Sequence, residues 1–308
     1  MRPLTPTTPP RARAGFTIIE LLITLVMFSV IGGAIVSVLN GQQRFGRAAA
    51  EIGATRMQMQ TAQMVLPSEL RMLSPTDRDI LTIDATSILM QSTIATGVVC
   101  ARAVNVLTIE PTGRLSSRLF MPVAGDSAFI WDDRGASAAD DTWRSSAPGT
   151  PAHAVSAVAP AVCATPLTFG LATTATYAIT IAGATPMHAT VARGAPIRIT
   201  RQVRYGLYQS AADNNWYLGY RDPTFAAYQY VAGPFRSNSN GGLRFAYFDN
   251  SDNEITAANY VSRRDSVARI EITTRVQSAS QLSLGGSSRG QVFYDSLKVG
   301  VSLRNRVP

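Results

Sequence analysis

Residues 15–39 read GFTIIELLITLVMFSVIGGAIVSVL, and this stretch decides how the chain is organised. Residues 21–39 contain no charged side chain, only apolar residues with a few Thr, Ser and Gly. At a rise of 1.5 Å per residue, a helix of that length extends about 28 Å, which is enough to cross the hydrocarbon core of a bilayer. We therefore predict one membrane-spanning helix close to the N-terminus.

The two flanks of the apolar stretch indicate what kind of segment it is. Residues 1–15, MRPLTPTTPPRARAG, are rich in Pro, Thr and Arg and show no periodicity, so we interpret them as a leader. A secretory signal peptide would be shorter and closely followed by small residues, whereas the first small triplet here is residues 48–50. We therefore expect a retained anchor. The arginines on the two flanks weakly favour a cytoplasmic N-terminus.

The composition changes twice beyond the apolar stretch. Residues 42–66 lack proline, are rich in Gln, Ala, Met and Arg, and carry apolar residues at intervals of seven, so we predict that the helix continues to about Leu66. We expect a break or kink at Pro67, within an amphipathic region that covers residues 42–75. Residues 76–308 contain short segments typical of strands, such as VNVLTIEP and VARIEITTRVQS.

These patterns predict an α+β protein. A long N-terminal helix, membrane-spanning over residues 16–41, packs on a mostly antiparallel, β-rich C-terminal domain. Residues 134–195 are dominated by Ala, Thr, Ser, Pro and Gly, and we interpret them as a long surface insertion with one short strand and no part in the core. The residues AADN at 211–214 separate two strand-like segments and predict a hairpin.

Length and charge limit the function classes. The chain has 308 residues, 46% of them apolar, so it can bury a sizeable core. The net charge of +8 is almost all arginine, since Lys298 is the only lysine, and part of it lies in the leader. No basic run with interleaved aromatic residues appears, so the sequence does not favour a nucleic-acid partner, although it does not exclude one.

No motif in the chain supports an enzyme. Residues 286–290, GSSRG, formally match the nucleophile motif of serine hydrolases, with Ser288 as the nucleophile. That motif needs a helix after it and a histidine later in the chain, but His153 and His188 both come earlier. We interpret the segment as a turn between two strands. Neither histidine has metal-ligand spacing, and we expect no cofactor.

Three carboxylates, Asp249, Asp252 and Glu254, lie within six residues of sequence. They could offer oxygen ligands to calcium, but the spacing of a calcium-binding helix–loop–helix motif and its closing glutamate are absent. Asp and Asn are also common turn formers, and a turn between strands is the favoured interpretation.

The two cysteines, Cys100 and Cys163, form no paired-cysteine metal motif. If the domain lies outside the cytoplasm, an oxidising compartment favours a disulfide between them. The alternative is two buried, unpaired thiols.

One charge interrupts the beginning of the apolar stretch. Glu20 lies one helical turn inside it, and an ionisable residue in a membrane segment marks a functional site by default. If the chain were cut after Gly15, Phe16 would carry a new cationic amine four residues from Glu20, on the same helix face. That amine, or the amine of a neighbouring subunit, could pair with the carboxylate. The alternative is a glutamate that only reaches to the lipid headgroups.

Residues 11–36, RARAGFTIIELLITLVMFSVIGGAIV, resemble the class III prepilin signal, in which a basic leader ends in Gly and the mature chain begins with Phe and has Glu fifth. The resemblance implies that a prepilin peptidase cuts between Gly15 and Phe16, and that Phe16 is N-methylated. It also implies that the helix assembles with other pilins or pseudopilins, with Glu20 acting in assembly. The chain would cross the bacterial inner membrane once, with a periplasmic C-terminal domain.

Three short segments extend the resemblance to large minor pilins and minor pseudopilins of the PilW and J-type group. They are ELR at 69–71, GLRFAYFD at 242–249 and VSLRN at 301–305. This implies a subunit that initiates or caps a type IV pilus or a type II secretion pseudopilus. The alternative is a membrane-anchored extracytoplasmic binding module, such as a pilus-tip adhesin or a DNA-uptake subunit. The sequence does not distinguish pilus, secretion and DNA uptake.

Overall fold

The computed structural model describes residues 15, 17–75, 78–113, 121–132, 142–144, 153–165, 167, 176–182, 191–223, 225–282 and 290–303. The leader before Gly15 lies outside these residues, as do Phe16, His188 and Ser288. The predictions made for these residues therefore lie outside the described residues. The same holds for residues 286–289 of the predicted turn at 286–290.

The described residues form one long helix followed by a β-rich domain. Helix α1 spans Ile18–Leu70, and a short helix α2 spans Tyr260–Arg263. The strands are β1 (Ile80–Ile83), β2 (Ser87–Ala103), β3 (Val106–Gly113), β4 (Ser127–Asp132), β5 (Thr142–Arg144), β6 (His153–Pro160), β7 (Tyr177–Ile181), β8 (Pro196–Gln209), β9 (Trp216–Arg221), β10 (Gln229–Phe235), β11 (Leu243–Phe248), β12 (Glu254–Ile255), β13 (Arg269–Gln277) and β14 (Tyr294–Ser302). All the strand pairs within the described residues are antiparallel, so the predicted α+β class is confirmed. We call the β-rich part, residues 76–308, the head domain.

Helix α1 passes through Pro67, where the sequence predicted a break or kink, and ends at Leu70. A proline inside a helix removes one hydrogen bond and costs about 3 kcal/mol. Leu66 and Leu70, which flank Pro67, are both 0% exposed in the core of the head domain. Burial of these two leucines outweighs the local cost, because each contributes about 1.5–3 kcal/mol. The predicted break at Pro67 is wrong, and the alternative of a kink stays a prediction.

The two halves of α1 differ in what surrounds them. In the second half, buried residues recur every three, four or seven positions, as expected for a helix with one face on a sheet. They are Ala48, Thr55, Met59, Ala62, Leu66, Pro67 and Leu70. In the first half the large apolar side chains are exposed, from Leu39 at 49% to Ile18 at 83%. Nothing in the described part of the chain covers them.

The second half of α1 packs on a curved sheet, which forms the first of two cores. This sheet contains β1, β2, β8, β9, β10, β13 and β11, with β14 on the other side of β13. Its core-facing side chains include Tyr205, Phe235 and Ile272, which pack with Leu66 of the helix. Strands β8 and β9 form the hairpin predicted around residues 211–214, with Gln209 opposite Trp216. We call this the helix core.

Six strands close into a barrel around the second core. The order is β2, β3, β7, β6, β4 and β8, and β8 pairs with β2 to close the ring. The interior holds residues such as Leu107, Ile130, Ile179 and Ile199, each 0% exposed. At Gly97 on β2 there is no room for a side chain, since a Cβ would lie 2.6 Å from Ile109 Cγ2 on β3. A barrel this narrow is filled by its own side chains.

The Ala-rich stretch at 134–195 contributes to this barrel core. Its described residues form β5, β6 and β7, of which only β7 was predicted. Val155 is 2% exposed, Ile181 is 6% exposed and Val191 is 2% exposed, all inside the barrel. The expectation that the stretch has no part in the core is therefore wrong. Small residues beside a few Val, Ile and Tyr are sufficient to fill this side of the barrel interior, because the partner strands β3 and β4 contribute larger side chains such as Leu107 and Ile130.

Candidate functional site

The N-terminus of α1 is organised by Thr17 and Glu20. Thr17 is the N-cap: its Oγ1 accepts a hydrogen bond from the Glu20 N–H at 3.3 Å. In return, the Glu20 carboxylate accepts the backbone N–H and the hydroxyl of Thr17, both at 3.3 Å. This reciprocal arrangement is a capping box, and it places a carboxylate where the helix dipole favours negative charge. The carboxylate is thus held at the very start of the helix.

The predicted cleavage bond lies directly beside this cap. Thr17, whose N–H binds Glu20, follows Phe16 in the chain, and Gly15 has no atom within 4 Å of where a Cβ would stand. The described surroundings of Gly15 are therefore open. The pairing between Glu20 and a Phe16 amine stays a prediction, because Phe16 is outside the described residues.

Two polar side chains within the apolar half of α1 form hydrogen bonds inside the helix. The Thr24 hydroxyl donates to the Leu21 carbonyl at 2.9 Å, and the Ser29 hydroxyl donates to the Val26 carbonyl at 2.7 Å. An unpaired hydroxyl in hydrocarbon would be costly, so these bonds suit the segment to lipid or to a packed helix bundle. Among the described residues, α1 is the one helix long and apolar enough to cross a membrane.

The other half of α1 is fixed to the head domain by side-chain contacts along its length. Arg56 forms an ion pair with Asp295 at 2.9 Å, and Gln63 donates to the Thr274 hydroxyl at 2.9 Å. Closer to the membrane half, the Glu51 carboxylate accepts the backbone N–H of Ser280 at 3.1 Å. The anchor and the head domain are therefore joined by one continuous helix.

The N-terminal end of the chain matches a protein-family model. Residues 10–36 match the model described as "Prokaryotic N-terminal methylation motif". The chain carries a prepilin-type methylation motif. This motif indicates a pilin-like or pseudopilin-like protein anchored in a membrane, and it implies processing by a prepilin peptidase and assembly with other pilins. No curated protein and no solved structure matches the chain.

The two cysteines come together in the head domain. Cys100 in β2 and Cys163 after β6 form a disulfide with Cα atoms 5.8 Å apart, and both are 5% exposed. The bond ties the end of a long strand of the barrel to the segment that follows β6.

Asp249 and Asp252 lie in a turn between β11 and β12, and Glu254 is the first residue of β12. Asp249 accepts the backbone N–H groups of Ser251 and Asn253, and it pairs with Arg263 at 2.6 Å. The hydrogen bond from the Asn253 backbone, followed by that from Arg263, lowers the pKa of Asp249. Asp252 pairs instead with Arg269 at 2.6 Å. The described residues bring no three His, Cys, Asp or Glu side chains together into a metal-binding group.

Sequence reasoning identified Glu20 but missed the role of Thr17. The signal was present, because Thr-x-x-Glu before an apolar run is the sequence pattern of a capping box. The structure thus adds a local function for Glu20, fixing the start of α1, to the assembly function implied by the resemblance.

Proposed function

We propose that this protein is a minor pilin or minor pseudopilin, a structural subunit rather than an enzyme, which initiates or caps a type IV pilus or a type II secretion pseudopilus. The main support is helix α1, which is continuous from Ile18 to Leu70. Its first half is apolar and exposed, with the Glu20 carboxylate in the cap at its start, and its second half packs in the core of the head domain. An apolar helical face this long needs lipid or other helices around it.

In the proposed mechanism, prepilin peptidase first cuts after Gly15 and Phe16 becomes N-methylated. The subunit then remains in the inner membrane, with its N-terminus on the cytoplasmic side and its head domain in the periplasm. On entering a filament, the apolar half of α1 exchanges lipid for the helices of neighbouring subunits. Glu20 is buried among them, where an unpaired carboxylate is costly and a neighbouring Phe16 amine offsets that cost.

The size of the head domain supports a low-copy position. Two cores in one head, the helix core and the barrel core, make a bulky unit to repeat along a narrow filament. A place at the tip, where fewer neighbours surround the head, accommodates such a unit more easily.

Replacing Glu20 with valine tests the proposal. Removal of the Glu20 carboxylate should not hinder membrane insertion, because a charge disfavours insertion of an apolar helix and Glu20 lies at the edge of the apolar run. We expect Glu20→Val to be cleaved and retained in the inner membrane but lost from sheared filaments and from cross-linked complexes with other pilins. The matched control is Thr17→Ala, which removes the hydroxyl of the cap and keeps the carboxylate. We expect this control to assemble.

Two results would contradict the proposal. N-terminal sequencing that finds an intact leader, or a start near Glu51, would exclude prepilin processing. Wild-type incorporation of Glu20→Val would mean that Glu20 is an interfacial charge, and would favour the membrane-anchored binding module instead.

A further inference from the structure

A groove of about 620 Å³ lies where α1 leaves its apolar half and first meets the head domain. One wall is the helix surface between Arg44 and Ala54, and the other is the segment 280–282, which includes Leu282. Alanines of the helix form much of its lining. The groove therefore combines an apolar surface with two cationic side chains, Arg44 and Arg47, at its end nearer the membrane half.

The charges in the groove favour an anion. Within the described part of the chain, neither Arg44 nor Arg47 forms an ion pair, and both residues are exposed. The third charged residue, Glu51, has its Oε1 atom occupied by the backbone N–H of Ser280 at 3.1 Å. Two guanidinium groups are thus available to a ligand, and guanidinium is the side chain best suited to bidentate binding of a phosphate.

The depth of the two arginines matches one layer of the membrane. Leu39 ends the uncharged run. Arg44 lies five residues after Leu39, or about 7.5 Å along the helix axis, and Arg47 lies eight residues after Leu39, or about 12 Å. The headgroup layer extends about 5–8 Å from the hydrocarbon on each side of a bilayer. Helical side chains lean toward the N-terminus of their helix, which here is the membrane side. The guanidinium groups can therefore reach the lipid phosphates.

We propose that this groove binds the phosphate of a membrane phospholipid through Arg44 and Arg47. This inference rests on the proposed membrane anchoring of α1. The acyl chains of the lipid would run toward the membrane along the exposed apolar side chains of α1, of which Leu39 is 49% exposed and Val36 is 56% exposed. A bound lipid would hold the head domain at a fixed height and tilt above the bilayer until the subunit is extracted.

The test uses the full chain in detergent micelles and measures retained lipid by native mass spectrometry. The probes are phosphatidylglycerol and a diacylglycerol with the same acyl chains, which lacks the phosphate. We expect the chain to retain phosphatidylglycerol and not diacylglycerol. For Arg44→Gln with Arg47→Gln we expect about thirtyfold weaker retention, or about 2 kcal/mol at 1.4 kcal/mol per tenfold change.

Two further variants separate the site from general charge and from folding. Arg71→Gln with Arg221→Gln removes the same charge at exposed positions outside the groove, and retention should be unchanged. Ala54→Trp fills the groove but keeps both arginines, and retention should fall. An unchanged midpoint of thermal unfolding in each variant establishes that the head domain is folded.

Several outcomes would overturn the proposal. They are equal retention of diacylglycerol, retention unaffected by the Arg44 and Arg47 changes, or inorganic phosphate binding as tightly as the lipid. If the lipid results are negative while an acidic peptide from another pilin binds and depends on these arginines, the groove is a protein site. Because the assay uses extracted, unassembled chain, its result does not depend on whether Glu20→Val enters filaments, so the two proposals can fail separately.

Discussion

Replacing Arg201 with methionine should destabilise the head domain strongly, because Arg201 is a buried cation between two buried carboxylates. Its Nε and Nη2 donate to the two carboxylate oxygens of Asp126 at 2.6 Å and 2.9 Å. Its Nη1 lies 3.9 Å from Asp222. The three side chains are 6%, 2% and 2% exposed, respectively. Hydrogen bonding to Asp126 raises the pKa of Arg201, so the cation stays charged.

The position of Arg201 on β8 makes it a junction between the two cores. Ile199, two residues before it, faces the barrel core, and Val203, two residues after it, faces the helix core. Asp126 immediately precedes β4 of the barrel, and Asp222 immediately follows β9 of the sheet. One guanidinium therefore connects the edges of both parts of the head domain.

The expected magnitude follows from the burial of the partners. Removing one member of a buried ion pair leaves an uncompensated buried charge and costs about 3–5 kcal/mol. Arg201→Met leaves Asp126 and Asp222 both without this cation, so its cost should lie at the upper end of that range. Asp126→Asn leaves Arg201 with Asp222 and an amide oxygen, and should cost about 3 kcal/mol. Since domains are stable by about 5–15 kcal/mol, either change is large.

The assay is urea unfolding of the full chain in detergent, followed by tryptophan fluorescence, for both single variants and the double variant. We expect the double variant to cost at least 1 kcal/mol less than the sum of the single changes, because the two residues act as a unit. Single costs below 1 kcal/mol that add up without coupling would refute the reasoning. They would place the pair among surface ion pairs, which contribute little.

Two further predictions concern the disulfide and a tyrosine–aspartate pair in the β8–β9 hairpin. Changing Cys100 and Cys163 together to serine should lower the free energy of unfolding by up to about 4 kcal/mol, because the sequence separation of 63 residues encloses a long loop; two free thiols found in denatured, non-reduced wild-type protein would exclude the bond. The Tyr217 hydroxyl donates to Asp213, which lowers the pKa of Asp213 from 3.8 to about 2 and raises the pKa of Tyr217 from 10.0 to about 12. The hydrogen bond should therefore stabilise the hairpin fully from about pH 4 to about pH 10, losing its contribution as pH falls toward 2 or rises toward 12. Carboxyl titration by nuclear magnetic resonance should show the Asp213 pKa returning toward 3.8 in Tyr217→Phe, and an unchanged pKa would contradict the assignment.

The sequence predicted the helix and the strands because both signals are local. An uncharged run of membrane length requires a helix, because the α-helix is the secondary structure in which a single segment satisfies its own backbone hydrogen bonds in lipid. Alternation in segments such as β13, where every second residue from Ile270 to Val276 is buried, likewise appears directly in the sequence. The capping box of Thr17 and Glu20 is also a local pattern, Thr-x-x-Glu before an apolar run.

The barrel could not be predicted because its defining contacts are not local. Strand β3 pairs with β7, with Leu107 opposite Ile179, and the ring closes only when β2 meets β8 about a hundred residues later. Strand β6, HAVSAVAP, has one buried side chain, Val155, so it lacks a recognisable pattern. Arg201 was missed for a similar reason: its partner Asp126 lies 75 residues away, and an arginine in a strand usually faces solvent.

The spacing of charges along α1 explains why Glu20 must be tested in the filament rather than in the membrane. Glu20 and Arg44 are the charged residues that border the apolar run, and 24 residues of helix separate them by about 36 Å. This distance exceeds the 30 Å hydrocarbon core and falls within the full bilayer thickness of about 40–45 Å. In the membrane, both charges can therefore lie in headgroup layers, Glu20 on one side and Arg44 on the other. Only extraction from the membrane carries Glu20 into a dry environment, so its energetic effect appears at that step and in assembly measurements.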